Sequence, residues 1–314
     1  MRNFHGKHKT RTFFEGWYLK HQNNETNLAF IPSFHVCKDR KRYAQIQVVT
    51  ESGAHCFRFP SSAFHAEEDL FYVRIGNNVF SSAGINVDLH GTGLSVKGML
   101  RYGTYIQPET DIMGPFRYIP LMQCNHGILS LTHKLTGTLE INGKTFDFTD
   151  GTGYIEKDWG NSFPNSYLWA QLSWFENSDC CAMISVADVP LAGTSFTGCI
   201  ASVYYGGREY RLATYRGAKI LKYSQKEAVV EQGACRLHVQ LIKDGGAQKL
   251  QAPQNGKMAR IICEMPSCTV RFHFTVGKIT LFDVTRDNAS FEFSEQNMVS
   301  RKHSGTTSIP RTEA

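Results

Sequence analysis

Apolar and polar residues alternate along most of the chain with a period of two, the spacing that sends successive strand side chains to opposite faces. Residues 43-YAQIQVVT-50 place Tyr43, Gln45, Gln47 and Val49 on one face and Ala44, Ile46 and Val48 on the other. Stretches of the same kind recur at 69–76, 85–91, 94–103, 127–143, 167–175, 181–189, 198–207, 236–243, 268–276 and 289–295. Most are rich in β-branched and aromatic residues, which suit a pleated, half-buried surface. Turn formers separate them, among them His90-Gly91, Gly206-Gly207 and Asp244-Gly245-Gly246. Residues 138–148 predict a hairpin, with Asn142-Gly143 supplying the positive φ of a two-residue turn. No stretch of twelve residues keeps a 3.6-residue period. Short strands with closely spaced turns predict an all-β, antiparallel fold of the sandwich or barrel kind. With 314 residues there is chain for two barrel-like units. We assign an N-terminal domain to 1–155, a C-terminal domain to 156–296 and a polar, disordered tail to 297–314.

Composition narrows the function classes. Apolar residues make up 41% and charged residues 20%, as in ordinary globular chains. The net charge of +6 is scattered apart from 7-KHKTR-11 and 38-KDRKR-42. These runs read as a solvated basic surface, with an anion or lipid-headgroup patch as the alternative. No stripe of arginine and stacking aromatics appears, so nucleic acid is not an expected partner. Nine cysteines without a CxxC pair point to buried thiols in a reducing compartment. The first residues lack the apolar core of a signal peptide, and no apolar run approaches the ~18 residues of a membrane helix. The expected location is cytoplasmic, with peripheral membrane contact as an option. Phosphate-loop, dinucleotide, nucleophile-elbow and zinc spacings are absent, so no cofactor and no metal are expected.

Three constellations carry chemistry. In 13-FFEGWYLK-20 an extended chain puts Phe13, Glu15 and Trp17 on one face. A carboxyl among large rings has its charged form disfavoured and becomes an acid, unless a structural ion pair holds it. In 124-CNHGILSLTHKL-135 the parity of a strand sets His126 and His133 on opposite faces, which argues against a metal pair. His126 then serves either as a proton carrier or as a core histidine bonded to a carbonyl. In 154-YIEKDW-159 the residues Tyr154, Glu156 and Asp158 share one face, with the carboxyls ~7 Å apart at strand spacing. Ile155, Lys157 and Trp159 share the other. Two facing acids in an apolar interior repel, so one keeps its proton. Asp158 alternatively caps the turn 160-GNSFPN-165.

The segments FFEGWY (13–18), MQCNHGILSLTHKLTGTLEING (122–143), GYIEKDWGNSFPNSYLWAQ (153–171) and CAMISVADVP (181–190) closely resemble the tocopherol cyclase family. The likeness runs, with gaps, from about Phe13 to about Phe293. More distantly the layout is similar to the carotenoid hydratase and hydroxyneurosporene synthase group. The resemblance implies two lipocalin-like antiparallel β-barrel domains packed together. It also implies a reaction: protonation of a double bond in a prenylated quinol, then capture of the tertiary cation by a ring hydroxyl to form a chromanol. That chemistry asks for an acid, a dry channel and aromatic faces, and for no cofactor. On this reading Asp158 or Glu156 donates the proton and His126 assists. Glu15, Trp17, Tyr18, Trp159, Trp169 and Gln171 bind the substrate. The competing reading is a lipocalin-like carrier of an isoprenoid or lipid, with the same acids as hydrogen-bond anchors.

Overall fold

The alternating stretches become strands, and the strands sort into two antiparallel sheets. A computed structural model describes residues 3–119, 122–174, 180–191 and 194–295. The tail expected over 297–314 lies outside the described residues. Among them the only helical segments are three short 3-10 turns. Among the described residues no helix is long and apolar enough to cross a membrane. The Asn142-Gly143 hairpin forms with Ile141 opposite Lys144, and both turn residues take positive φ, 50° and 81°.

The first sheet has 12 strands. At its middle, Phe13–Gln22 lies between Asn27–Val36 and Thr152–Gly160, and Thr152–Gly160 in turn pairs with Cys124–Ile141. The second sheet has 10 strands. There Ser166–Trp174 lies between Cys180–Leu191 and Ile279–Glu295, and the latter pairs with Lys257–Val276. Strand Thr152–Gly160 is hydrogen-bonded on both sides within the first sheet, so the boundary expected at 155/156 falls inside it. The break between sheets lies at 161–165.

No pairing among the described residues closes either sheet into a ring. Gly53–Pro60 and Phe64–Ala66 end the first, and Arg208–Ala213 and Lys219–Ser224 end the second. The expected closed barrels therefore give way to sheets that each bend over a core of their own. Trp17, Leu19, Phe30, Phe80 and Ile155 belong to the first core. Leu168, Val203, Phe272, Phe274 and Phe291 belong to the second. A third apolar cluster fills the space between the sheets, with Tyr18, Ile128, Tyr154 and Trp169 among its members. Strands Phe13–Gln22 and Thr152–Gly160 are thus covered on both faces, one by a sheet core and one by the layer between sheets. That layer holds the cavity.

Candidate active site

Register builds the site. In the first sheet Asp158 lies opposite His126, and Glu156 lies opposite both Ile128 and Tyr18. Strand parity aims Tyr154, Glu156 and Asp158 between the sheets. From the second sheet, Ser166–Trp174 sends Tyr167 and Trp169 to meet them. The cavity here measures about 180 Å³, and Tyr18, His126, Glu156, Asp158, Tyr167 and Trp169 form part of its wall. A single water needs only roughly 10–15 Å³ of such space, so the volume suits an organic ligand. Phe14, Met113, Phe116 and Phe163 make the rest of the wall largely apolar.

The polar groups form one connected cluster. His126 Nδ1 lies 2.9 Å from Asp158 Oδ1, and its Nε2 lies 3.5 Å from Glu156 Oε2. Glu156 Oε2 also accepts the Tyr154 hydroxyl at 2.5 Å and the Trp169 indole N–H at 2.9 Å. Burial raises the Glu156 carboxyl to about 7, with Asp158 adding to the rise and His126 opposing it. Burial works against charge on His126, but the Asp158 and Glu156 carboxyls overcome it and carry the imidazole up to about 9. Near neutral pH the cluster therefore holds an imidazolium and a carboxyl group divided between its two forms. Both are proton donors facing an apolar space. Burial, then Asp158, pushes the Cys124 thiol well up, so it stays protonated and is no nucleophile.

The ligand atoms of His126, Glu156 and Asp158 all lie within 4.8 Å of one another, and among the described residues this group is close enough to hold a metal ion. Their present contacts already pair the imidazole with both carboxyls.

Four residues expected at the substrate lie elsewhere. Glu15 and Trp17 sit on the opposite face from Tyr18. Glu15 is buried against Lys157 Nζ at 3.2 Å and His5 Nδ1 at 2.8 Å. Trp17 packs in the first core beside Phe4 and Phe71. Trp159 shares that face with Lys157 and stacks on the His5 ring at 4.6 Å. The physical reason is parity: odd positions of 13–17 and of 155–159 turn into the first sheet. Gln171 lies between the sheets but off the cavity wall, bonded to Ser173 Oγ at 2.7 Å. His133 faces away from His126 and packs on Tyr102 and Tyr105.

Two cavity acids had no counterpart in the sequence reading. Glu264 and Glu292 stand opposite each other on the second sheet, and both line the cavity. Their signal was an acid alternating with apolar neighbours, as in 291-FEF-293. The same pattern on a solvent-facing strand would be unremarkable.

Comparison with known proteins agrees with the fold and the motifs. A segment of 127 residues is 27% identical to a probable chloroplastic tocopherol cyclase of Oryza sativa subsp. japonica, and covers 39% of this chain and 27% of that protein. The corresponding figures for a chloroplastic tocopherol cyclase of Zea mays are 21% identity over the same shares. The match thus spans about a quarter of these relatives' own length. Among solved structures, CghA with Sch210972 superposes with a TM-score of 0.55 at 8% identity, covering 90% of this chain and 89% of that one. Kievitone hydratase from Nectria haematococca gives 0.53 at 11% identity, covering 92% and 90%. At such identities these structures share the fold alone. Residues 91–269, more than half of the sequence, match the family model described as tocopherol cyclase-like, and the chain belongs to that family.

Proposed function

We propose that the protein is an acid catalyst that protonates a carbon–carbon double bond of a prenylated quinol, or a related isoprenoid, and closes a ring on the resulting cation. The observation that carries this reading is the placement of Glu156, His126 and Asp158 in the wall of an apolar cavity beside an indole and a phenol ring. Glu156 in its protonated form gives its proton to the alkene, which forms a C–H bond and leaves a tertiary cation. A ring hydroxyl attacks that cation, forms the C–O bond and releases its proton to the Glu156 carboxylate. The cycle closes with no net proton change, and the product is an isomer of the substrate. Asp158 holds the imidazole through Nδ1. Nε2 faces Glu156 and balances its charge once the proton has left.

Trp169 and Tyr18 pack edge to face with centroids 5.4 Å apart. Their rings face the space where a cation develops, and each such face is worth about 0.5–2 kcal/mol. Keeping water out decides the product, because water captures the same cation to give an alcohol.

The test is incubation of the purified protein with 2-geranylhydroquinone, followed by mass-resolved chromatography. An isobaric product with a changed retention time is expected. A product heavier by one water identifies hydration instead. Tight binding with no conversion, for this and longer-tailed quinols, would make the protein a carrier and refute the proposal.

A further inference from the structure

The proposed proton transfer leaves one polar wall of the cavity unused. Glu264 on Lys257–Val276 lies opposite Glu292 on Ile279–Glu295, and Glu292 lies opposite Trp169 on its other side. Side chains at such cross-strand positions have Cβ atoms about 4.5–5.5 Å apart. Glu264 is 2% exposed and Glu292 7%, yet both form cavity wall. The Tyr18 hydroxyl donates to one oxygen of Glu264, and the Tyr167 hydroxyl donates to one oxygen of Glu292. The second oxygen of each carboxyl takes no hydrogen bond from any described residue. Each of these oxygens belongs to a residue of the cavity wall, so a ligand group that bonds it gains affinity.

Burial raises Glu264 to about 7 against the pull of Tyr18 and Lys20. Burial, and then the charge of Glu264, raises Glu292 well above the carboxylate range. Burial therefore favours the protonated form of both. The wall offers a donor and an acceptor side by side.

We propose that Glu264 and Glu292, braced by Tyr18 and Tyr167, form the head-group subsite, binding the hydroxyl of a phenolic or hydroquinone ring. The inference rests on reading the cavity as an isoprenoid site and fixes which end of the substrate goes where. Ring closure needs the attacking oxygen and the protonated double bond as neighbours. Trp169 joins the two stations, bonded to Glu156 and register-paired with Glu292. A head held at the glutamate pair thus presents its first double bond to Glu156. The tail follows the apolar wall.

The experiment measures equilibrium binding of 2-geranylhydroquinone and of its dimethyl ether, read by quenching of tryptophan fluorescence. The ether keeps the shape but has no O–H to donate. Wild-type protein is expected to prefer the hydroquinone by about tenfold, the worth of one good hydrogen bond to a charged partner. The Glu264→Met/Glu292→Met variant should bring that preference below about threefold while still binding the ether. Asp158→Asn should keep the full preference even where turnover is lost. Should the Met variant not fold, Glu264→Gln/Glu292→Gln keeps the side-chain shape and is expected to lower the ratio at least about threefold. Equal binding of both ligands by wild type, or an undiminished preference in the glutamate variants, overturns the proposal. Preference without turnover of either ligand leaves the head-group site standing and refutes the cyclisation. Turnover without preference does the reverse.

Discussion

The two faces of strand Thr152–Gly160 have nearly the same chemical inventory and opposite roles. Toward the first core lie Lys157, Trp159, His5 and Glu15. Toward the cavity lie Glu156, Asp158, His126 and Trp169. Each face joins carboxyl, nitrogen-base and indole groups, with one acid and two bases toward the core and two acids and one base toward the cavity. On the core face the Lys157 ammonium meets Glu15 at 3.2 Å, donates to the Asn3 carbonyl at 2.9 Å and rests 4.7 Å over the Trp159 ring. Glu15 takes His5 as a second partner, so a cation answers the acid directly. On the cavity face two carboxyls share one imidazole beside open volume. That imbalance, and not the presence of acids near tryptophans, leaves exchangeable protons facing the cavity on one side and closes the other into a clamp.

The largest expected difference between the faces is in turnover. Glu156→Gln removes the proton while keeping the side chain's shape, and kcat should fall by about 10³-fold with the fold retained. Asp158→Asn frees the imidazole from its holder and should cost about 10²-fold in kcat with little effect on KM. Steady-state kinetics with 2-geranylhydroquinone checks both, and near-normal turnover in either variant breaks the assignment of that residue. On the core face the expected loss is in stability. Lys157→Met leaves Glu15 buried without its ammonium and should cost about 3–5 kcal/mol, the usual result of removing one partner of a buried pair. Denaturant unfolding measures that loss. The kcat per folded molecule should stay near wild type, and a collapse of kcat there would mean that the two faces are not separable.

This contrast was half legible in the sequence. Alternation gave the strands, the Asn142-Gly143 turn and the grouping of Tyr154, Glu156 and Asp158, because period-two geometry needs no tertiary knowledge. Alternation also grouped Glu15 with Trp17. It did not say which face of a strand covered on both sides meets the cavity, since both faces read as apolar with occasional charge. The family resemblance thus admitted Glu15, Trp17 and Trp159 to the site, although parity had set Trp159 on the face away from Glu156 and Asp158, and packing removed them. Glu264 and Glu292 were hidden for another reason. They lie more than a hundred residues beyond Glu156 in long strands, and only pairing across the second sheet brings them to the same wall.

A smaller effect separates the two indoles. Trp169→Phe loses the N–H bond to Glu156 and part of the ring's attraction for a cation. A loss of about 0.5–2 kcal/mol is expected, which lowers kcat by about 2- to 30-fold. Trp159→Phe on the core face makes the same chemical change away from the cavity and should leave kcat unaltered. Equal rate losses in both variants would show that the indoles act through the fold instead of through the cation.

The finest distinction is the sign of the pH dependence of stability. Glu156 rises from 4.5 to about 7, and His126 rises from 6.5 to about 9. Both hold their protons more tightly folded than unfolded, so the folded state binds more protons across these windows. Stability contributed by the cavity face is full below about pH 4.5 and drains away as pH rises to about 9. Glu264, also raised to about 7, adds to the same slope. Lys157 on the core face moves oppositely, because burial lowers its pKa against the pull of Glu15. There the unfolded state binds more protons, and stability recovers as pH climbs toward the ordinary lysine value of 10.5. The share of stability held by Glu156, His126 and Glu264 should therefore fall between about pH 5 and 9, while buried His21, His35, His133 and Lys20, all lowered, work in the opposite sense, so the cavity-face share is read as the difference between wild type and variant. Glu156→Gln should flatten the acidic part of that fall, and Lys157→Met should reduce the alkaline recovery to the part that Lys20 supplies while leaving the acidic part alone. Both variants flattening the same window would mean that the charges on the two faces titrate as one group, and the proton chemistry could not then be assigned to the cavity face alone.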